Sequence, residues 1–140
     1  MYDVEERKER VATLFVHHWT RQQLNTHRRR LLRVADLLHE RFPSPYPWDL
    51  IQSKNLKDKD SKGEIWPLFG SCTHYAGKFT LHINATLPLY CKVETLLHEW
   101  AHAHTWRQPP VEAARLDPHD DEFYLTLGRI ERWWAGDWFE

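Results

Sequence analysis

Val93-Glu94-Thr95-Leu96-Leu97-His98-Glu99-Trp100-Ala101-His102 decides how this chain is read. The last five residues spell H-E-x-x-H. On an α-helix, residues four apart lie about 40° apart around the axis and roughly 6 Å along it. Two imidazoles so placed can reach one metal ion from the same face. Glu99 follows His98 by one position and projects beside that face, where a general base for water activated at a metal has to stand.

The chain holds ten histidines, so a chance match has to be weighed against context. Residues 93–97 contain no helix breaker, and helix-compatible residues continue to Trp106 before Pro109 and Pro110. The expected active-site helix spans 92–106. Around its axis His98, His102, Thr95 and Thr105 share one side. Leu96, Trp100 and Ala103 fall nearly opposite, and Leu97 and Ala101 fill a flank. A helix apolar on several sides is buried, and buried polar groups need partners. A metal supplies one; the alternative is a core helix whose histidines bond to carbonyls.

A catalytic zinc site needs a third protein ligand and an open fourth position. His119, in Asp117-Pro118-His119-Asp120-Asp121-Glu122-Phe123, is the first candidate. His104 points about 200° away from His102. Glu112, Asp120, Asp121 and Glu122 are alternative oxygen ligands, or could orient the His119 ring. Glu94, one turn before His98, either orients a ligand or is a surface carboxylate.

Outward from the motif, Val4, Val11, Leu14 and Phe15, then Leu24, Leu31, Val34, Leu38 and Phe42, recur at helical spacing. They make 1–42 a helical N-terminal part with a break or bend at 20–26. His17, His18 and His27 read as surface or satisfied histidines. Arg28, Arg29, Arg30 and Arg33 form a solvated face or a phosphate-contacting patch. Pro43, Pro45 and Pro47 end the helices. The region 48–84 reads as a small three-stranded antiparallel sheet, with strands at 48–53, 64–75 and 78–84, an exposed charged loop at 55–63, and a turn at Gly77. In the third strand Phe79, Leu81 and Ile83 share one face, and Thr80, His82 and Asn84 the other. The segment 119–134 carries the third ligand and a C-terminal helix with Phe123, Leu127, Ile130 and Trp134 in one stripe. Eight tryptophans imply an aromatic core; Trp133, Trp134, Trp138 and Phe139 could alternatively stack on bases. Residues 107–118 read as a lid or a connection.

At 140 residues the expectation is one α+β domain, 1–140. A net charge of −1 gives no general attraction to nucleic acid. Cys72 and Cys91 make no disulfide framework. Without a visible signal peptide or membrane-length apolar run, the expected location is the cytoplasm.

With these residues in place, the chain resembles the SprT-like (Spartan-type) zinc metalloproteases. The resemblance runs over roughly residues 69–132. It rests on Gly70-Ser71-Cys72, Leu81-His82-Ile83-Asn84, Glu94-Thr95-Leu96-Leu97-His98-Glu99-x-x-His102-Ala103, and His119-Asp120-Asp121-Glu122-Phe123 leading to Arg129-Ile130. Asp120 stands where the family usually has Gly, and Phe69 where it usually has Trp. With two cysteines, the four-cysteine zinc ribbon of many relatives is absent. The resemblance implies a zincin-like (minimal gluzincin-type) fold with a buried HExxH helix. It implies Zn²⁺ on His98, His102 and His119, and Glu99 as the catalytic base. It also implies a protein or peptide substrate, with DNA-associated or DNA-crosslinked protein as one class. A zinc hydrolase of a non-protein amide and a non-enzymatic DNA-associated zinc module are the alternative readings. Tyr75 and Tyr124 are the phenols considered as oxyanion donors.

Overall fold

The computed structural model describes residues 17–106 and 119–136. The expected helical pattern before His17, the 107–118 segment with Glu112, and Trp138 and Phe139 lie outside them. Among the described residues, three helices pack with a mixed sheet and a small hairpin, an α+β arrangement.

Helix α1, Arg21–Arg41, starts where the break was expected. Thr20 caps it: its hydroxyl accepts from Gln23 N–H while the Gln23 side chain accepts from Thr20 N–H. Its buried stripe is His27, Leu31, Val34, Ala35 and Leu38. The prolines at 43, 45 and 47 follow its end.

The expected antiparallel sheet is corrected in its topology. Strand β1, Trp48–Ser53, pairs in parallel with the last strand, β5, Lys78–Asn84. Strand β4, Gly70–Tyr75, pairs antiparallel with β5, giving the order β1-β5-β4. Period-two alternation reports which face a side chain takes, not the direction of the neighbouring strand, and here the face assignment holds. Phe79, Leu81 and Ile83 are fully buried. The second expected strand, 64–75, is two: β3, Ile65–Pro67, and β4. The charged 55–63 stretch is exposed as expected, yet contains β2, Lys57–Lys59, which forms a hairpin with β3. Asp60 holds that hairpin's turn by accepting from Lys62 and Glu64 N–H and from Trp66 Nε1. Between β4 and β5, Ala76 and Gly77 both have positive φ, 53° and 73°, as a two-residue hairpin turn demands.

Helix α2, Leu89–His104, carries the H-E-x-x-H motif. It begins three residues before the expected start, just past Pro88, and stops short of Trp106 where Thr105 turns its hydroxyl back to Ala101 O. Its buried residues include Leu96, Leu97, Trp100, Ala101 and Ala103. Trp100 is fully buried with its Nε1 donating to Phe42 O, so the core's largest ring leaves no orphaned donor. Helix α3, Asp121–Ala135, buries Phe123, Thr126, Ile130 and Trp133. No helix among the described residues is long and apolar enough to cross a membrane.

Candidate metal centre

His98 and His102 stand on α2, and His119 stands just before α3. One ring nitrogen from each lies within 4.8 Å of the other two, a group that could hold a metal ion. The His102 and His119 Nε2 atoms are 3.1 Å apart. Nitrogens bound tetrahedrally at about 2.0–2.1 Å from zinc stand roughly 3.3 Å apart, so this pair already has ligand spacing. Three imidazoles suit zinc, copper, iron or nickel, and the donor set therefore fits a transition-metal ion.

One apolar side chain organises all three rings. Phe123 is fully buried. Its ring centre lies 4.2 Å from that of His102, nearly parallel, 5.1 Å from His98 and 5.0 Å from His119. Sequence periodicity marks Phe123 only as part of a helix stripe. The signal for its role is its spacing: four residues past His119, it returns on the first turn of α3 to the side where His119 stands.

That first turn is built by Asp120. Its carboxylate caps α3 by accepting from Phe123 N–H at 2.9 Å. Its φ of −77° is ordinary for any L-residue, so Asp in place of the family's usual Gly is compatible with this backbone. Asp121 and Glu122 are exposed. His104 turns away as the spacing requires, and its Nδ1 meets Pro43 O. Glu94 is exposed.

Glu99 is buried on α2 and packs against strand β4 at Gly70. A Cβ at Gly70 would lie 3.3 Å from Glu99 Cγ, 2.5 Å from Thr95 Cγ2 and 2.7 Å from His82 O, so strand and helix touch where only glycine fits. Burial pushes the Glu99 carboxyl up to about 8. On the same face of β4, Cys72 is pushed up to about 12, by burial first and by the Glu99 carboxylate second. His82 faces the other side of the sheet, where its Nδ1 meets Ser53 Oγ at 3.2 Å. Tyr124 is exposed beside the cluster, its ring 6.3 Å from that of His119. Tyr75 sits exposed at the end of β4.

In comparisons with known proteins, no family model matches this chain, and no curated protein or solved structure gives a significant match.

Proposed function

We propose that this chain is a zinc-dependent endopeptidase of the SprT-like type, folded as one zincin-like domain over 1–140. One observation carries the reading: three imidazoles from two separate parts of the chain come within one ion's reach, while the buried Glu99 stays outside the donor set. A structural site has no use for that carboxylate.

His98, His102 and His119 would hold zinc as neutral imidazoles, leaving one position open. Bound there, zinc would supply Lewis acidity that polarises a carbonyl and lowers the pKa of water to about 7. Glu99 takes the proton of the attacking water and delivers it to the leaving amine. It must be ionised for the first step; burial opposes that, and a neighbouring cation favours it. Tyr124, whose ring stands 6.3 Å from that of His119, is the candidate phenol donor to the developing oxyanion. Among the described residues strand β4 has β5 as its one partner in the sheet, so its other edge can take an extended peptide as an added strand. DNA-associated or DNA-crosslinked protein is the substrate class that the resemblance implies.

The test is zinc stoichiometry together with digestion of unfolded casein, with and without single-stranded DNA, for the native chain and Glu99→Gln. One zinc per chain and cleavage lost in Glu99→Gln are expected. Cleavage that survives both chelation and Glu99→Gln would remove the reading. Hydrolysis of small amides without casein cleavage would replace the substrate class.

A further inference from the structure

Helix α2 begins with a cation that the metal cluster does not use. Lys92 is fully buried. Its Nζ donates to Gln52 Oε1 on β1 at 2.6 Å and to His27 Nδ1 on α1 at 2.8 Å. It also lies 5.9 Å from the centre of the Trp19 ring. The partners are themselves held. Gln52 Nε2 donates to Leu24 O at 2.8 Å, which aims its oxygen at Lys92. Trp19 donates from Nε1 to Leu87 O at 3.0 Å, stands edge-on to His27, and stacks on His17. One ammonium thus ties α1, the segment before it, β1 and the start of α2 together.

This is an adverse place for a cation. Lys92 lies in the first turn of α2, which holds no acidic residue and where the helix dipole disfavours positive charge. Its partners are neutral acceptors, whereas a buried charge normally requires an opposite one. From α1 the titratable group facing it is His27, since Arg28 turns to Leu50 O. From β1 it meets the uncharged Gln52, because Asp49 points to the other face and pairs with Lys78. His17 lies behind the Trp19 ring. On α2 its neighbours are Tyr90, Cys91 and the exposed Glu94.

Because Lys92 donates, His27 has to accept through a bare Nδ1 and is therefore neutral. A second proton would turn that acceptor into a donor and set two like charges in contact. Desolvation holds the Lys92 ammonium down to about 8. Desolvation first, then Lys92, holds the His27 imidazole below its ordinary value. Replacing such a lysine by an apolar residue of similar length would remove the cost, so its presence asks for a return.

We propose that His27 and Lys92 form a proton-operated latch on the start of the metal-binding helix. Shut, the pair holds one proton. A second proton, on His27, frees α1 and the Trp19 segment from α2 and β1. The latch is independent of the metal reading, since neither residue belongs to the three-histidine cluster.

The test follows the His27 ring by nitrogen NMR in the full zinc-saturated chain from pH 8 to pH 5. Amide exchange over 17–31 and 86–92, corrected for intrinsic rates, is measured in parallel. The native chain, Lys92→Met and His27→Gln are compared. In the native chain His27 titrates below its ordinary range, and exchange rises as it does. In Lys92→Met the His27 midpoint moves up toward 6.5 and the acid-linked rise is lost. An unmoved His27 midpoint in Lys92→Met overturns the latch. Should Lys92→Met fail to fold, His27→Gln decides alone: it keeps an acceptor at every pH, so an acid-linked rise that persists in it overturns the latch.

Discussion

Gly70 on β4 and Glu99 on α2 face each other with no room for a side chain between them: a methyl group at residue 70 would stand 3.3 Å from Glu99 Cγ and closer still to Thr95 and the His82 carbonyl. The glycine of Gly70-Ser71-Cys72 is thus explained by space, and the strand it opens sets how deep Glu99 sits. Gly70→Ala should cost about 1–3 kcal/mol through overpacking. It should also lower kcat more than it changes KM, because zinc stays bound while the carboxylate is displaced. Thermal melts with zinc analysis check this; an unchanged Tm and kcat would contradict it.

Glu99→Gln should retain zinc and abolish turnover. In the metal-free chain it should also reshape the pH dependence of stability. The Glu99 carboxyl goes from 4.5 to about 8 on folding. Its protonated form is therefore favoured in the folded chain, a contribution complete below about 4.5 and lost as pH rises through 8. Urea melts of the metal-free native chain should show stability falling by a few kcal/mol across that window. Glu99→Gln should lack that fall. Parallel pH slopes in the two proteins would contradict this account.

His119→Ala should sharply lower zinc occupancy while leaving the helices formed, since His119 precedes α3 and does not cap it. Metal analysis after dialysis and far-UV circular dichroism separate the two effects. Unchanged occupancy would hand the third position to Asp120, Asp121 or Glu122.

Phe123→Ala should destabilise by about 3–5 kcal/mol as a buried-ring truncation. It should weaken zinc binding by about 10–100-fold, the scale seen when groups that orient metal-bound histidines are lost. Phe123→Leu, which refills most of the space, should recover stability more than it recovers the visible absorption of a cobalt-substituted site. Full recovery of both would make Phe123 a packing residue alone.

The helix with its paired histidines was legible because 3.6-residue periodicity and four-residue spacing are local properties of α2. His119 was legible as the next histidine able to return. The parallel pairing of β1 with β5 was not, because alternation is the same in either direction. The β2–β3 hairpin was hidden because its pairing residues, Lys57, Asp58 and Lys59, are all exposed and charged. Phe123 and Lys92 were missed for opposite reasons. An aromatic in a helix stripe reads as ordinary core, and a lysine reads as surface; only the fold shows one against three imidazoles and the other fully enclosed.

The order β1-β5-β4 puts the last-made strand in the middle. While the chain is being translated, β1 and β4 both wait for β5: β4 can zip from its turn only as Lys78 and the residues after it emerge, and β1 gains its partner from Phe79 onward. His98 and His102 follow soon after, and His119 after them. A nascent chain stalled before β5 presents two unzipped strands and no three-histidine cluster. Sheet closure and assembly of that cluster therefore both depend on the second half of the chain.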